Sequence, residues 1–227
     1  MQPHDFWQEL HAPRSFATSG EFRDFYVAEL PDGQQLRLPI RVLTGGDRAL
    51  ASLIINQASF SVQETLAEAL AARIAAYDVD VVAGLPTLGL TLASAVARAL
   101  GHQRYVPLGT SRKFWYREDL SVSLSSITTP EQQKRLYIDP RMLPLLQGRR
   151  VALVDDVISS GASIASGLAL LTACGIEPVV IGAAMLQSDR WRAKLDTAGP
   201  QWQERTKGVF TTPILERTAE GRWRAPA

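Results

Sequence analysis

The feature that most constrains the fold of this chain is a regular alternation of strand-like and helical patterns between residues 61 and 186. In chain order the sequence predicts a helix over 61–77, a strand over 78–84, a helix over 90–100, strands over 104–108, 136–138 and 151–155, a helix over 163–175 and a strand over 178–186. Strands that alternate with helices form right-handed βαβ units. The sequence therefore predicts an α/β fold in which helices flank a central parallel sheet.

The first of these helices has a recognisable start. Ser61 is a residue type that caps helices, and Glu64 follows three residues later as the partner in a capping box. Val62, Leu66 and Ile74 then recur at helical spacing. We therefore predict Ser61 as the N-cap of the first helix.

The N-terminal region lies outside the alternation. Residues 22–43 alternate polar and apolar side chains on both sides of Pro31-Asp32-Gly33, which predicts a β-hairpin closed by a tight turn. We expect this hairpin to form a hood over one end of the sheet. The predicted division is a hood region at 1–60, a core at 61–190, and a C-terminal extension at 191–227 that packs on the core.

Composition excludes several classes of function. A formal net charge of +1 does not favour a broad nucleic-acid surface. The three histidines (His4, His11 and His102) are scattered and Cys174 is the single cysteine, so neither a zinc cluster nor an intramolecular disulfide is expected. The longest uncharged run, residues 157–176, includes the serine-rich turn at 159–163, so no membrane-spanning segment is expected. We expect a soluble cytoplasmic protein with no membrane or nucleic-acid partner.

Residues 151–163, VALVDDVISSGAS, combine an apolar strand, an acidic pair and a turn of small residues that opens a helix. The strand should bring Asp155 and Asp156 to the carboxyl edge of the sheet. The turn offers backbone N–H groups and hydroxyls, and the helix directs its positive end to the same place. This order predicts a site for a phosphorylated sugar. The alternative is an ordinary strand-to-helix turn capped by Ser163.

This stretch resembles the phosphoribosyl diphosphate (PRPP) motif of type I phosphoribosyltransferases. Residues 79–101, VDVVAGLPTLGLTLASAVARALG, resemble the strand, diphosphate loop and helix of the same family. The irregular, Ser- and Thr-rich segment 110–134 occupies the place of the family's flexible catalytic loop. The resemblance covers about residues 61–186 and is most similar to purine-type members, the adenine phosphoribosyltransferases in particular.

The resemblance implies that a ring nitrogen of a nucleobase displaces diphosphate from C1 of PRPP. It implies that Asp155 and Asp156 bind the ribose hydroxyls, directly or through Mg²⁺ and its waters. Arg112 and Lys113 would close over the diphosphate and complete the catalytic set, with Arg117 in reserve; Glu118 or Asp119 could act on a base proton. The other implied PRPP-binding residues are Leu85, Pro86, Thr87, Leu88, Gly89, Val157, Ile158, Ser159, Ser160, Gly161, Ala162 and Ser163.

The base pocket is less defined by the sequence. Gln187 and Trp191 follow the strand predicted over 178–186, which places them at the carboxyl edge of the sheet as base-binding candidates. Phe114, Trp115 and Tyr116 lie in the loop, where an aromatic ring could stack on a purine. Ordinary hydrophobic packing is the alternative for each of these aromatic residues.

The chain departs from the family pattern at several positions. Serines stand at 159, 160 and 163, where threonine is common, and the hydroxyl groups remain. Ala162 replaces a frequent glycine, at little cost if its φ angle is negative. Leu88 stands where Arg or Lys is common, so diphosphate affinity must come from backbone N–H groups or from a cation elsewhere.

Two other functions stay open. Leu88 makes a PRPP-sensing regulatory protein without turnover an alternative to an enzyme. An enzyme of the same fold acting on a pyrimidine base such as orotate is another, with Arg190 as a cation for the anionic substrate. A dinucleotide-binding enzyme is disfavoured because the turn after the VALV strand lacks the GxGxxG pattern. The resemblance also implies a homodimer.

Overall fold

A computed structural model describes residues 2–124 and 134–226. The strands are β1 (Glu21–Phe22), β2 (Phe25–Glu29), β3 (Gln35–Val42), β4 (Arg48–Ala51), β5 (Val81–Gly84), β6 (Val106–Pro107), β7 (Ser121–Ser123), β8 (Arg135–Tyr137), β9 (Val151–Ile158), β10 (Val180–Gln187), β11 (Thr206–Thr212), β12 (Ile214–Arg217) and β13 (Trp223–Arg224). The helices are α1 (Phe60–Ile74), α2 (Gly89–Ala99), α3 (Ala162–Ala173), α4 (Arg190–Asp196) and α5 (Gln201–Glu204). Short 3₁₀ turns lie at Pro3–Asp5, Ile55–Gln57, Ala75–Tyr77, Glu118–Leu120 and Leu143–Leu145.

The centre of the molecule is a five-stranded sheet in the order β11-β10-β9-β5-β6. All four strand pairs in it are parallel. One face is covered by α1 and α2, which bury residues such as Leu70 and Leu92, and the other by α3 and α4, which bury Leu171 and Trp191. The predicted α/β fold with flanking helices is confirmed.

The N-terminal hairpin belongs to a second, antiparallel sheet of six strands in the order β1-β13-β12-β4-β3-β2. In the hairpin, β2 pairs with β3, so that Tyr26 lies opposite Leu38. Gly33 adopts a φ of 85° in the connecting turn, a conformation that glycine reaches without steric cost. The predicted hairpin is therefore confirmed as part of a larger hood sheet.

The segment predicted as a C-terminal extension, residues 191–227, takes part in both sheets. The predicted C-terminal extension supplies β11 to the edge of the central sheet, beside β10. It then supplies β12 and β13 to the hood sheet, where β12 pairs with β4. The C-terminal segment thus contributes to both sheets, and the division of the chain at residue 190 stays a prediction.

The strand predicted over 136–138 also has a different place. It forms β8, which pairs with β7 in a separate two-stranded antiparallel sheet. Three apolar residues are too few for their pattern to distinguish a core strand from a short ribbon. Residues 125–133 of the predicted catalytic loop lie outside the described residues. Among the described residues, none of the helices combines the length and apolarity needed to cross a bilayer.

The start of α1 corrects the predicted cap. The N-cap is Ser59, whose Oγ accepts a hydrogen bond from the Val62 backbone N–H at 3.3 Å. Ser61 already lies inside the first turn of the helix. Both serines have a side chain that can cap a helix. The backbone between β4 and α1 places Ser59, and not Ser61, before the first turn.

We expect Ser59→Ala to lower the free energy of unfolding by about 1 kcal/mol, because a backbone N–H of α1 loses its acceptor. Ser61→Ala is the matched control and should change it by less than about 0.5 kcal/mol. Urea denaturation followed by circular dichroism measures both. Equal effects of the two substitutions would contradict the assignment of Ser59 as the cap.

Candidate functional site

The candidate site lies where β5 and β9 end and α2 and α3 begin. Strand β9 is longer than the sequence predicted, because it continues through the acidic pair to Ile158. Asp155 pairs with Ala183 of β10, and Val154 pairs with Gly84, the last residue of β5. The two carboxylates therefore lie within β9, at the level where its neighbour β5 gives way to a loop.

Asp155 and Asp156 are both buried, with 7% and 8% of their surface exposed. The backbone N–H of Asp156 donates to Asp155 Oδ1 at 3.0 Å. Burial raises the pKa of Asp155 well above its ordinary value, and the neighbouring Asp156 carboxylate raises it further. Burial also raises the pKa of Asp156. Among the described residues, no Lys or Arg forms an ion pair with either acid.

The loop from Leu85 to Gly89 lies directly against the acidic pair. A Cβ atom built on Gly89 would lie 2.5 Å from Asp155 Oδ1 and 2.9 Å from Asp155 Cα, so only glycine allows this approach. The Pro86–Thr87 peptide bond is cis. Leu88 is partly buried and packs against the hydrophobic cluster under α1 and α2. The predicted diphosphate loop therefore offers backbone groups, and no cationic side chain, to a ligand.

The turn from Ser159 to Ser163 connects β9 to α3. Gly161 is the N-cap of this 12-residue helix and has a φ of 78°. Ser163 lies inside the helix, so the alternative in which it caps the turn is not realised. Ala162 is not among the residues with positive φ, so its replacement of glycine causes no backbone strain. The turn leaves the first backbone N–H groups of α3 at the positive end of the helix.

Gln187 and Trp191 lie at the carboxyl end of β10, as predicted, but both are buried. Gln187 Nε2 donates to the Ala51 carbonyl oxygen at 2.8 Å, and its Oε1 accepts from Ser159 Oγ at 2.8 Å. The Arg192 guanidinium lies 4.7 Å from the centre of the Trp191 ring. Their assignment to base binding stays a prediction. Both polar groups of the Gln187 amide are bonded within the protein, whereas the buried Trp191 Nε1 has no hydrogen-bond partner among the described residues.

Among the described residues, the cations of the predicted catalytic loop form no ion pair with the acidic pair. Arg112 is exposed and pairs with Glu118 at 3.4 Å, and Lys113 is also exposed. Glu118 pairs with Arg135 as well, at 3.2 Å. Within the described parts of the chain, neither Arg112 nor Lys113 bonds to the segment 155–163. Their catalytic role stays a prediction.

The start of the loop is held by a cluster around Asp139. Trp115 Nε1 donates to Asp139 Oδ2 at 3.2 Å, and the Arg141 guanidinium lies 4.4 Å from the centre of the Trp115 ring. Hydrogen bonds from Arg141 hold the pKa of Asp139 well below its ordinary value. Phe114 is 96% exposed and Tyr116 is partly buried. Of the three loop aromatics, Phe114 alone is fully open to a ligand.

Sequence comparison finds relatives that act on different bases. The chain is 32% identical over 140 residues to an orotate phosphoribosyltransferase of Halorhodospira halophila, covering 61% of this chain and 56% of the relative. It is 34% identical over 105 residues to a hypoxanthine/guanine phosphoribosyltransferase of Methanosarcina acetivorans, covering 46% and 51%. A bifunctional protein PyrR of Pseudomonas fluorescens is 30% identical over 139 residues, covering 52% and 75%. The chain spans about half the length of the first two relatives.

Solved structures of adenine phosphoribosyltransferases share the fold. The enzyme of Giardia lamblia, complexed with 9-deazaadenine, superposes with a TM-score of 0.56 at 17% identity, covering 67% of this chain and 80% of that one. The enzyme of Leishmania tarentolae superposes with a TM-score of 0.53 at 16% identity, covering 83% and 84%. At these identities the likeness concerns the fold alone.

The family itself is shown by a sequence model. The model of the phosphoribosyl transferase domain matches residues 52–209, which is more than half of the chain. The match includes the loop at 85–89, the acidic pair of β9 and the turn at 159–163. The chain belongs to the type I phosphoribosyltransferase family.

Proposed function

We propose that this chain is a cytoplasmic, homodimeric enzyme that transfers the 5-phosphoribosyl group of PRPP to a purine base and releases diphosphate. The observation that carries the proposal is the contact of three elements at one point. The buried pair Asp155 and Asp156 has the glycine of the 85–89 loop against it on one side and continues into the turn at 159–163 on the other. Carboxylates between two phosphate-binding backbones suit a ribose that carries a phosphate at each end.

Each part of this arrangement has a task in the proposed reaction. The N–H groups of the turn hold the 5′-phosphate at the positive end of α3. The backbone of the 85–89 loop faces the diphosphate. Asp155 and Asp156 accept hydrogen bonds from the ribose hydroxyls, and their negative charge stabilises the positive charge that develops at C1. Arg112 and Lys113 close over the leaving diphosphate and exclude water.

The acidic pair also fits Mg²⁺, the metal that the family resemblance implies. Both acids are oxygen ligands of the kind Mg²⁺ prefers, and their buried negative charge has no cationic partner among the described residues. The described residues contain no group of three or more His, Cys, Asp and Glu side chains that could enclose a metal ion. Asp155 and Asp156 would therefore hold the ion from one side, directly or through water, with substrate oxygens as further ligands. When bound, Mg²⁺ would neutralise charge on the diphosphate.

The base is the least constrained part of the proposal. The purine assignment is supported by the hypoxanthine/guanine relative, while the orotate relative supports the pyrimidine alternative. Gln187 joins the hood to the end of β10 through its bond to Ala51, and we propose that the base binds between these two elements. The sensor alternative follows from Leu88, whose side chain packs against the core and brings no cation to the diphosphate.

The test is release of diphosphate from PRPP and Mg²⁺ with a panel of adenine, hypoxanthine, guanine, uracil and orotate. We expect turnover with a purine and none in the presence of a metal chelator. Turnover with orotate alone would replace the purine assignment by the pyrimidine one. Calorimetric binding of PRPP without turnover on any base would identify a sensor. Absence of PRPP binding would overturn the whole proposal.

A further inference from the structure

We propose that Arg190 is a phosphate-binding residue, which contacts the 5′-phosphate of the ligand at the mouth of the 159–163 turn. The sequence suggested this arginine only as a cation for an anionic base. Its guanidinium Nη2 donates to Ser159 Oγ at 3.0 Å, at the first residue of the turn. The inference rests on the proposed function, because it places the 5′-phosphate of PRPP in this turn.

A chain of hydrogen bonds holds the arginine in place. Ser159 Oγ donates its proton to Gln187 Oε1 at 2.8 Å, so the lone pairs of the hydroxyl are free to accept from Arg190. Gln187 is 4% exposed, and its Nε2 donates to the Ala51 carbonyl oxygen of β4 at 2.8 Å. Gln187 is therefore a positioning residue, which orients Ser159 and, through it, the guanidinium.

The Arg190 guanidinium keeps its positive charge and several N–H donors that can bind an anion. A guanidinium has five N–H groups, and those of Arg190 bond to Ser159 and, more weakly at 3.4 Å, to Ser188. Arg190 forms no ion pair with any carboxylate in the described parts of the chain. The adjacent carboxylate, Asp189, pairs with Arg192 at 2.8 Å. A phosphate is a preferred partner for such a free, planar group.

Arg190 is the first residue of helix α4, and this helix packs beside the turn. A Cβ built on Gly161 would lie 3.2 Å from the Trp191 carbonyl oxygen and 3.3 Å from Lys194 Cβ, so the helix packs closely on the turn. Trp191 itself is only 2% exposed. Since the backbone of Arg190 is already ordered, less conformational entropy is lost when its side chain binds a ligand.

With Arg190 at the turn, positive charge from a side chain faces the 5′-phosphate of PRPP, and none comes from the diphosphate loop. The diphosphate loop has Leu88 in the place of a cation, and its partly buried side chain packs against the core. Arg190 instead brings a cation to the opposite end of the ligand, at the turn. We therefore expect the 5′-phosphate to contribute an unusually large share of the affinity for PRPP.

The test compares the wild-type protein with Arg190→Ala and Arg190→Lys, using calorimetric titration with ribose 5-phosphate, inorganic diphosphate and PRPP. We expect Arg190→Ala to weaken ribose 5-phosphate and PRPP by roughly tenfold or more, the loss expected for a hydrogen bond to a charged group, and to leave diphosphate unchanged. Arg190→Lys should recover part of the loss, because the charge remains without the fork of donors.

Arg98→Ala is the matched control, since it removes the same charge from an exposed arginine. Arg98 lies in the last turn of α2, at the end of the helix away from Gly89 and Asp155. The substitution should leave all three affinities unchanged. A second test is Gln187→Leu, in whose background the effect of Arg190→Ala should shrink, because the arginine is no longer positioned. A purely structural role for Gln187 would leave the effect of Arg190→Ala undiminished.

The outcomes separate this inference from the proposed function. If the wild-type protein binds PRPP and Arg190→Ala binds it equally well, the inference is wrong and the proposed function stands. If Arg190→Ala weakens diphosphate as much as ribose 5-phosphate, the arginine does not act at the 5′-phosphate. If the wild-type protein binds none of the three ligands, the proposed function fails, and this inference fails with it.

Discussion

The double variant Asp155→Asn/Asp156→Asn should lose PRPP affinity in the presence of Mg²⁺ by at least about 100-fold. Each asparagine keeps the size of the side chain and removes the charge that accepts from the ribose hydroxyls. A hydrogen bond to a charged group contributes about 1.5–3 kcal/mol, and two such groups are removed together. Isothermal titration with PRPP and Mg²⁺ measures the loss directly.

The same substitutions should stabilise the protein when neither metal nor ligand is present. Burial raises the pKa of both acids in the folded state above the value of the unfolded chain, which is about 3.9. A group of this kind contributes stability that is fully present below the unfolded pKa and is lost as the pH rises through the folded pKa. The variant should therefore unfold at higher urea concentration than the wild type at pH 7, and the two should converge towards pH 4.

A matched control is Asp24→Asn/Glu220→Gln, which removes two negative charges from exposed side chains that pair with no other side chain in the described parts of the protein. It should change neither the PRPP affinity nor the dependence of stability on pH. Unchanged PRPP affinity in the Asp155→Asn/Asp156→Asn protein would show that the acidic pair does not bind PRPP. Lower stability of that protein at pH 7 would show that the buried carboxylates stabilise the free fold.

Much of the central fold could be predicted because the decisive patterns are local. Residues 151–154 of β9 and 180–186 of β10 are continuous apolar runs, as expected for parallel strands covered on both faces. The hairpin of β2 and β3 is specified by a Pro-Asp-Gly turn between alternating strands. The pair β1–β13 could not be predicted, because it joins Phe22 to Trp223 from the two ends of the chain. Strand β11 was missed because its residues, TKGVFTT, lack a continuous apolar run.

In the candidate site, too, the local features could be predicted from the sequence and the long-range contacts could not. The acidic pair and its turn are contiguous from Asp155 to Ser163, so that the sequence alone shows their chemistry in order. The contact of Gln187 with Ala51 joins residues 136 positions apart and depends on how the hood sits on the sheet. The position of Arg190 likewise depends on the packing of α4 against the turn. No local sequence pattern predicts either contact.

Gly89→Ala should lower kcat/KM by about 100-fold while the protein still folds. The new Cβ would meet Asp155 Oδ1 at 2.5 Å and Asp155 Cα at 2.9 Å, and a backbone atom within a central strand cannot rotate away. The 85–89 loop must then shift away from the acidic pair, and displacement of a ligand by about 1 Å can reduce the rate by about 100-fold. Overpacking of this kind should also cost about 1–3 kcal/mol of stability.

The measurements are diphosphate release with PRPP and the base found in the panel, and urea denaturation of the same samples. Gly109→Ala is the matched control, because a Cβ there would have as its nearest neighbour the Tyr116 hydroxyl at 4.0 Å, and Gly109 has no positive φ. Its activity and stability should stay near those of the wild type. A Gly89→Ala protein with full activity would show that the close approach of the loop to Asp155 is a packing detail, because the reaction would then tolerate a gap between the carboxylates and the diphosphate loop.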